Sequence, residues 1–173
     1  RLIEDLSAQG LIDPDIETES LRNVIVTPFR DAETTALAAT LTAALTRMPQ
    51  LPGKFGFALA TGPRPVLTGA SADIRVELAE NGHLILRPEG HALGQPVTDL
   101  AQDCIAMAEW FIANGGITDG RGRMSALIAK GTTPPGCTLA PAEPLQTLTP
   151  GLHPDGALVA LAFGQMRAET LHA

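Results

Sequence analysis

The sequence predicts an α+β domain, a mixed β-sheet flanked by helices. Three observations carry this. The β-branched run Asn23 to Thr27 and the stretch "LPGKFGFAL" from Leu51 enclose one helical segment, the order of a βαβ unit with parallel strands. Residues 73–78 alternate strictly, with Asp73, Arg75 and Glu77 on one face and Ile74, Val76 and Leu78 on the other. Asn81-Gly82 follows at once, the strongest short signal for a hairpin, and predicts a tight two-residue turn.

The elements follow in order. Residues 1–10 form a short amphipathic segment, and "DPDIETES" is an acidic linker, so residues 1–20 read as the tail of a preceding segment. Asn23 to Thr27 reads as a buried strand stopped by Pro28. Asp31 caps a helix that runs to Met48, with Leu37, Leu41, Leu45 and Met48 at helical spacing and Pro49 behind them. The strand from Phe55 puts Phe55, Phe57 and Leu59 on one face and Gly56, Ala58 and Ala60 on the other. Val66 to Thr68 is read as a short extra strand, and His83 to Arg87 as the return strand of the hairpin. A second helix covers about Thr98 to Ala113, striped by Leu100, Cys104, Met107 and Phe111 and closed by Gly115-Gly116. "GRGRMSALIAKG" is a glycine-rich turn leading into a third helix. Residues 21–131 thus form the α+β lobe, 132–155 a proline-rich extended linker, and 156–173 the start of a following ferredoxin-like segment. The chain begins at Arg1 and stops inside an apolar stretch, which reads as a piece cut from a longer protein.

Composition narrows the partners. A net charge of −7 argues against nucleic-acid or membrane-surface binding, and no apolar run reaches spanning length. With no signal-peptide pattern and two cysteines without CxxC spacing, the expectation is a cytoplasmic protein with reduced thiols. Cys104 and Cys137 are too few for a zinc site or a cysteine-held cluster, so no metal or cofactor is expected in this chain. The four histidines lack metal-ligand spacing.

The candidate site begins with Lys54, one of only two lysines, set in a Pro-Gly turn before a strand. Arg22 stands at the corresponding start of the first strand, so two cations lie near one sheet edge. The small face of Gly56, Ala58 and Ala60 has two readings. It accepts a packed element, or it leaves a shallow cleft for a planar, acidic ligand held by charge-assisted hydrogen bonds. Arg121 and Arg123 likewise either hold ligand carboxylates beside a helix N-terminus or are solvated arginines of a turn. Arg75 and Arg87 pair with Glu77 and Asp73 on a wet hairpin face. No catalytic residue is identified.

"RNVIVTPF", a helix, "LPGKFGFAL" and "ADIRVELAENGHLILRPEG" together resemble the first, cluster-free lobe of the nitrite and sulfite reductase hemoprotein-like family, and in particular its cobalamin-pathway branch. Residues 21–90 carry most of the likeness. The resemblance implies the fold of that family's 4Fe-4S domain-like lobes and a tetrapyrrole, such as a precorrin, in a cleft between this lobe and the remaining lobes of the same polypeptide. It implies that Arg22 contacts the macrocycle or its anion. The reductases carry Lys-x-Lys after the "LP" turn; here the first lysine is Lys54 and the second is replaced by Gly56, which gives room to a tetrapyrrole substrate. It further implies that the parent protein is an oxidoreductase with a 4Fe-4S cluster and an additional iron in other lobes. A siroheme-dependent sulfite or nitrite reductase is the alternative, and a noncatalytic ligand-binding or scaffold domain the alternative of another class.

Overall fold

In the computed structural model the described residues are 2–9, 12, 23–62, 64–144, 149–153, 156–162, 165–167 and 169. They form helix α1 (Leu2–Ala8), strand β1 (Val24–Val26), helix α2 (Ala32–Ala44) continued by a 3₁₀ turn (Leu45–Arg47), strands β2 (Phe57–Ala60), β3 (Ile74–Leu78), β4 (Leu84–Pro88) and β5 (Gln95–Pro96), helices α3 (Leu100–Ala113) and α4 (Met124–Ile128), and strands β6 (Gly151–His153) and β7 (Gly156–Leu158). The chain is α+β, with five strands in one mixed sheet in the order β1-β2-β3-β4-β5. The first three run parallel, and β4 and β5 continue antiparallel.

Register explains the core. Val24, Phe57, Ile74 and Pro88 stand in one row across the sheet, and Val26, Leu59, Val76 and Leu86 in the next. These rows share one face, against which α2 with its 3₁₀ turn and α3 lay Leu41, Leu45, Leu100, Cys104, Met107 and Phe111. Both helices begin where an aspartate can cap them. Asp31 accepts a hydrogen bond from the Thr34 N–H at 2.8 Å, and Asp99 from the Gln102 N–H at 3.1 Å.

Several expectations are corrected. Strand β1 is an edge strand rather than a buried one: among the described residues it pairs with β2 alone, and Ile25 keeps 36% of its surface exposed. The hairpin turn is longer than two residues. The Ala79 N–H reaches the His83 carbonyl, so Glu80, Asn81 and Gly82 form the loop, and of these only Gly82 has positive φ, at 81°. That is a type I turn closed by a left-handed glycine, the usual solution when the loop has three residues.

Val66 to Thr68 form no strand. The parallel step from β2 to β3 is made by an irregular crossover, and its carbonyls face a side chain rather than a ladder. The Arg75 guanidinium donates to the carbonyls of Leu67 at 2.8 Å, Thr68 at 3.4 Å and Ala70 at 2.7 Å. This crossover lies over the second face of the sheet, so the expected wet face is dry. Arg75, Glu77 and Asp73 are all at most 2% exposed. The ion pairing is diagonal: Arg75 stands opposite Arg87, but Arg75 binds Glu89 and Arg87 binds Glu77. Asp73 pairs elsewhere, with Arg123.

Part of the proline-rich stretch is docked on the sheet. Residues 138–142 exchange backbone hydrogen bonds with Gly94, Leu78 and Glu80, so the packed body runs on to Ala142. Strands β6 and β7 pair with each other, and Leu152 remains 90% exposed. Among the described residues no helix is long and apolar enough to cross a membrane.

Candidate functional site

Three loops meet at the N-terminal ends of β2 and β3. The first is the turn around Lys54, closed by a hydrogen bond from the Phe55 N–H to the Pro52 carbonyl at 2.8 Å. The second leads through Ser71 and Ala72 to Asp73. The third is the arm from Gly116 to Arg123, ahead of α4.

The arm has a defined shape. Thr118 and Arg121 exchange both backbone hydrogen bonds, at 2.8 and 3.0 Å, around Asp119 (φ 50°) and Gly120 (φ 70°). Positive φ at both central residues makes a tight turn with Asp-Gly at its tip. Gly122 is required by space, since a Cβ there would stand 1.9 Å from the Gly116 carbonyl oxygen. Arg121 is therefore presented by a fixed turn, not by a loose loop.

Asp73 joins the three loops. Its carboxylate is fully buried. Oδ2 accepts from the Gly56 N–H at 3.0 Å, Oδ1 from the Met124 N–H at 2.7 Å, and the Arg123 Nε lies 3.1 Å from Oδ1. Burial pushes the Asp73 carboxyl above its usual range, against the opposing pull of these two N–H donors and of the Arg123 charge. Arg123 uses the rest of its fork on the fold. It donates to the Lys54 carbonyl at 2.9 Å, to the Ser71 hydroxyl at 2.8 Å and to the Ala72 carbonyl at 3.2 Å.

Between turn and arm lies a groove of about 470 Å³, walled by Pro52–Lys54 on one side and Gly120–Arg123 on the other. It brings Lys54, Arg121 and Arg123 together, three of the residues singled out in the sequence. Among the described residues, the Lys54 ammonium and the Arg121 guanidinium make no ion pair or hydrogen bond. Two unneutralised cations share one concavity on a chain of net charge −7.

Other parts of the expected site are placed differently. Arg22 lies outside the described residues. Gly56 does not line the groove and clears no space. A Cβ there would stand 2.7 Å from the Asn23 Nδ2, which donates to the Phe55 carbonyl at 2.9 Å. The glycine lets Asn23 and Asp73 approach the backbone. Ala58 and Ala60 are buried on the face that Ala58 shares with Arg75, so the small face accepts the crossover. The expected anion site at the third helix is also filled from within: α4 has five residues, and Asp73 takes its first N–H.

Sequence reasoning missed Asp73, whose alternation with Arg75 and Glu77 marks a face but not what covers it. It also missed the Asp119-Gly120 turn, which carried a readable signal. A second, acidic pocket of about 180 Å³ lies at the opposite end of the sheet, beside Asp31, Glu33, Thr34 and Thr61. There the Thr34 and Thr61 hydroxyls bind each other at 2.8 Å. Compared with known proteins, the chain matches no family model, no curated protein and no solved structure.

Proposed function

We propose that this chain is the ligand-binding lobe of an oxidoreductase that acts on a tetrapyrrole, of the precorrin-3B synthase kind, in which a precorrin is hydroxylated with oxygen and a ring lactone forms. The observation that supports the reading is the groove with Lys54 and Arg121 on facing walls and, among the described residues, no acid paired to either. Two separated cations over a partly apolar floor suit a planar molecule with carboxylates on its rim. Lys54 is a compact charge that follows a moving carboxylate, and Arg121 grips one through its planar fork. Arg123 supports the arm and leaves ligand contact to its neighbour.

The four-iron cluster and additional iron that such chemistry uses do not fit this chain's thiols. Cys104 is fully buried in the helix stripe, and burial, helped by the charge of Asp103, pushes its thiol up to about 12. Cys137 stands in the docked stretch, with its thiol also raised by burial. In this reading both centres belong to the remaining lobes, and no step runs through residues described here. A lobe of a siroheme-dependent reductase fits less well, because position 56 has neither a second cation nor room for one. A noncatalytic ligand-binding domain is favoured by one feature, the lack of a carboxylate, histidine or thiol among the groove's lining residues.

The test is an absorbance and fluorescence titration of the chain with uroporphyrin, a planar octacarboxylate. Saturable one-to-one binding is expected. Lys54→Ala and Arg121→Ala should each weaken it about tenfold, the loss of one charge-assisted contact of about 1.5–3 kcal/mol. Added salt should narrow the gap. Equal affinity in all three proteins, or no binding by the wild type, would sink the proposal.

A further inference from the structure

The two walls of the groove are tied together in an unusual way. Among the described residues no backbone–backbone hydrogen bond joins the Lys54 turn to the arm. Every polar link between them among the described residues passes through two side chains. Asp73 receives the Gly56 N–H from the turn and the Met124 N–H from the far end of the arm. Arg123 leaves the arm, binds Asp73, and reaches the Lys54 carbonyl. Phe55 also touches Phe111, at a centroid distance of 5.0 Å, a packing contact that backs the polar links without replacing them.

We propose that Asp73 and Arg123 are the positioning pair of the groove: they set the distance between Lys54 and Arg121, and loss of the Asp73 charge lets the walls part. The inference rests on the groove being a ligand site, but its decisive test needs no ligand. Asp73 is fully buried while Arg123 keeps a third of its side chain in solvent. If the carboxylate is neutralised, the arginine loses its one charged partner and keeps only neutral acceptors, so it is better solvated outside, and the Lys54 carbonyl loses its donor with it.

The charges around Asp73 do not compete for this role. Glu89, the residue after β4, donates its backbone N–H to the Asp73 carbonyl at 2.9 Å, while its carboxylate is held by Arg75 of β3. Lys54 meets the pair through its backbone only. Arg123 is thus the cation that answers Asp73. Because burial raises the Asp73 carboxyl, its charge is lost at milder acidity than that of an exposed aspartate.

Amide nuclear magnetic resonance of the full chain decides. In the wild type, the Gly56, Met124, Lys54 and Arg121 amide signals should move together on acidification, with one midpoint above 3.8, although neither Lys54 nor Arg121 touches the carboxylate. Asp73→Asn should place all four at the acid end of that titration and abolish the midpoint. Arg123→Lys keeps the charge but not the fork. It should displace the Lys54 and Arg121 signals while leaving Asp73 titratable, and it serves if Asp73→Asn does not fold. Lys54 and Arg121 signals that stay in place through the wild-type titration, or in Arg123→Lys, would overturn the inference. In parallel, Arg123→Lys should bind uroporphyrin about tenfold more weakly than the wild type. A wild type that binds no uroporphyrin defeats the tetrapyrrole reading and leaves the resonance result to decide the positioning pair.

Discussion

Arg123 and Arg121 differ by two positions and do opposite work. One has its donors consumed by Asp73, Ser71 and two carbonyls, and the other makes no such bond among the described residues. The sequence marks both as candidates, because residue type and local spacing are the same. What separates them is the partner, and Lys54 and Arg123 are 69 residues apart. Glycines behave alike: Gly56 reads as open space and proves to be close contact. Gly122 is tighter still, so Gly122→Ala is expected to cost about 1–3 kcal/mol by overpacking, read as a lower urea midpoint with unchanged m-value. Cys104 allows a pH prediction. Its folded thiol titrates at about 12 against an ordinary value of 9.0, so the folded state keeps a proton that the unfolded chain releases. This contribution is complete below pH 9.0 and is lost as pH rises toward 12. Urea midpoints should therefore fall steadily above pH 9.0, and maleimide should label Cys104 in the native protein far more slowly than in urea.

The second face of the sheet shows why some elements were readable and one was not. Helix α3 and the β3–β4 hairpin announce themselves through periods of 3.6 and 2, and α2 through its Asp31 cap and the leucines at 37, 41 and 45. The crossover between β2 and β3 has no period, because its shape is imposed by Arg75, which gathers three of its carbonyls. The diagonal pairs Arg75–Glu89 and Arg87–Glu77 neutralise a face that alternation alone marks as solvated. Arg75→Met is expected to destabilise by about 3–5 kcal/mol, since it leaves Glu89 without its cation and the carbonyls without a donor. The double change Arg75→Met with Glu89→Met should cost less than the single one, as a double-mutant cycle of urea melts would show. Additive losses would mean that the two groups are independent. At the α2 cap the expected loss is smaller: Asp31→Ala should lower the urea midpoint less than Arg75→Met does. Hydrogen bonding to the Thr34 N–H lowers the Asp31 carboxyl, so the cap's contribution is present above pH 3.8 and lost as pH falls through the folded value.

Across the whole molecule the polar features sort to opposite ends of the sheet. The cationic groove lies at the N-terminal ends of β2 and β3, and the acidic pocket beside Asp31, Glu33 and Thr61 at the other end. The βαβ order and the mixed sheet were legible, because each rests on local pattern plus the rule that such units are parallel. The meeting of the Lys54 turn with the 116–124 arm was not, because it depends on where α3 returns the chain. Placing the arm is a tertiary event written in no single window of sequence. At this scale ionic strength is the telling variable: acidic ligands should be drawn to one end only, and the selectivity should fade as salt shortens the reach of the field.

The docking of residues 138–142 onto Gly94, Leu78 and Glu80 sets the order in which the chain can mature. During synthesis the sheet strands and α3 leave the ribosome before the stretch that joins the β3 and β5 regions. The body stays incomplete until Ala142 has emerged, and until then the backbone groups of Gly94 and Glu80 await their partners. Nascent chains stalled with Gly131 just outside the tunnel should accordingly be cut readily by protease, and chains stalled with Ala142 outside should resist. Equal resistance at both lengths would mean that the body closes without its final stretch.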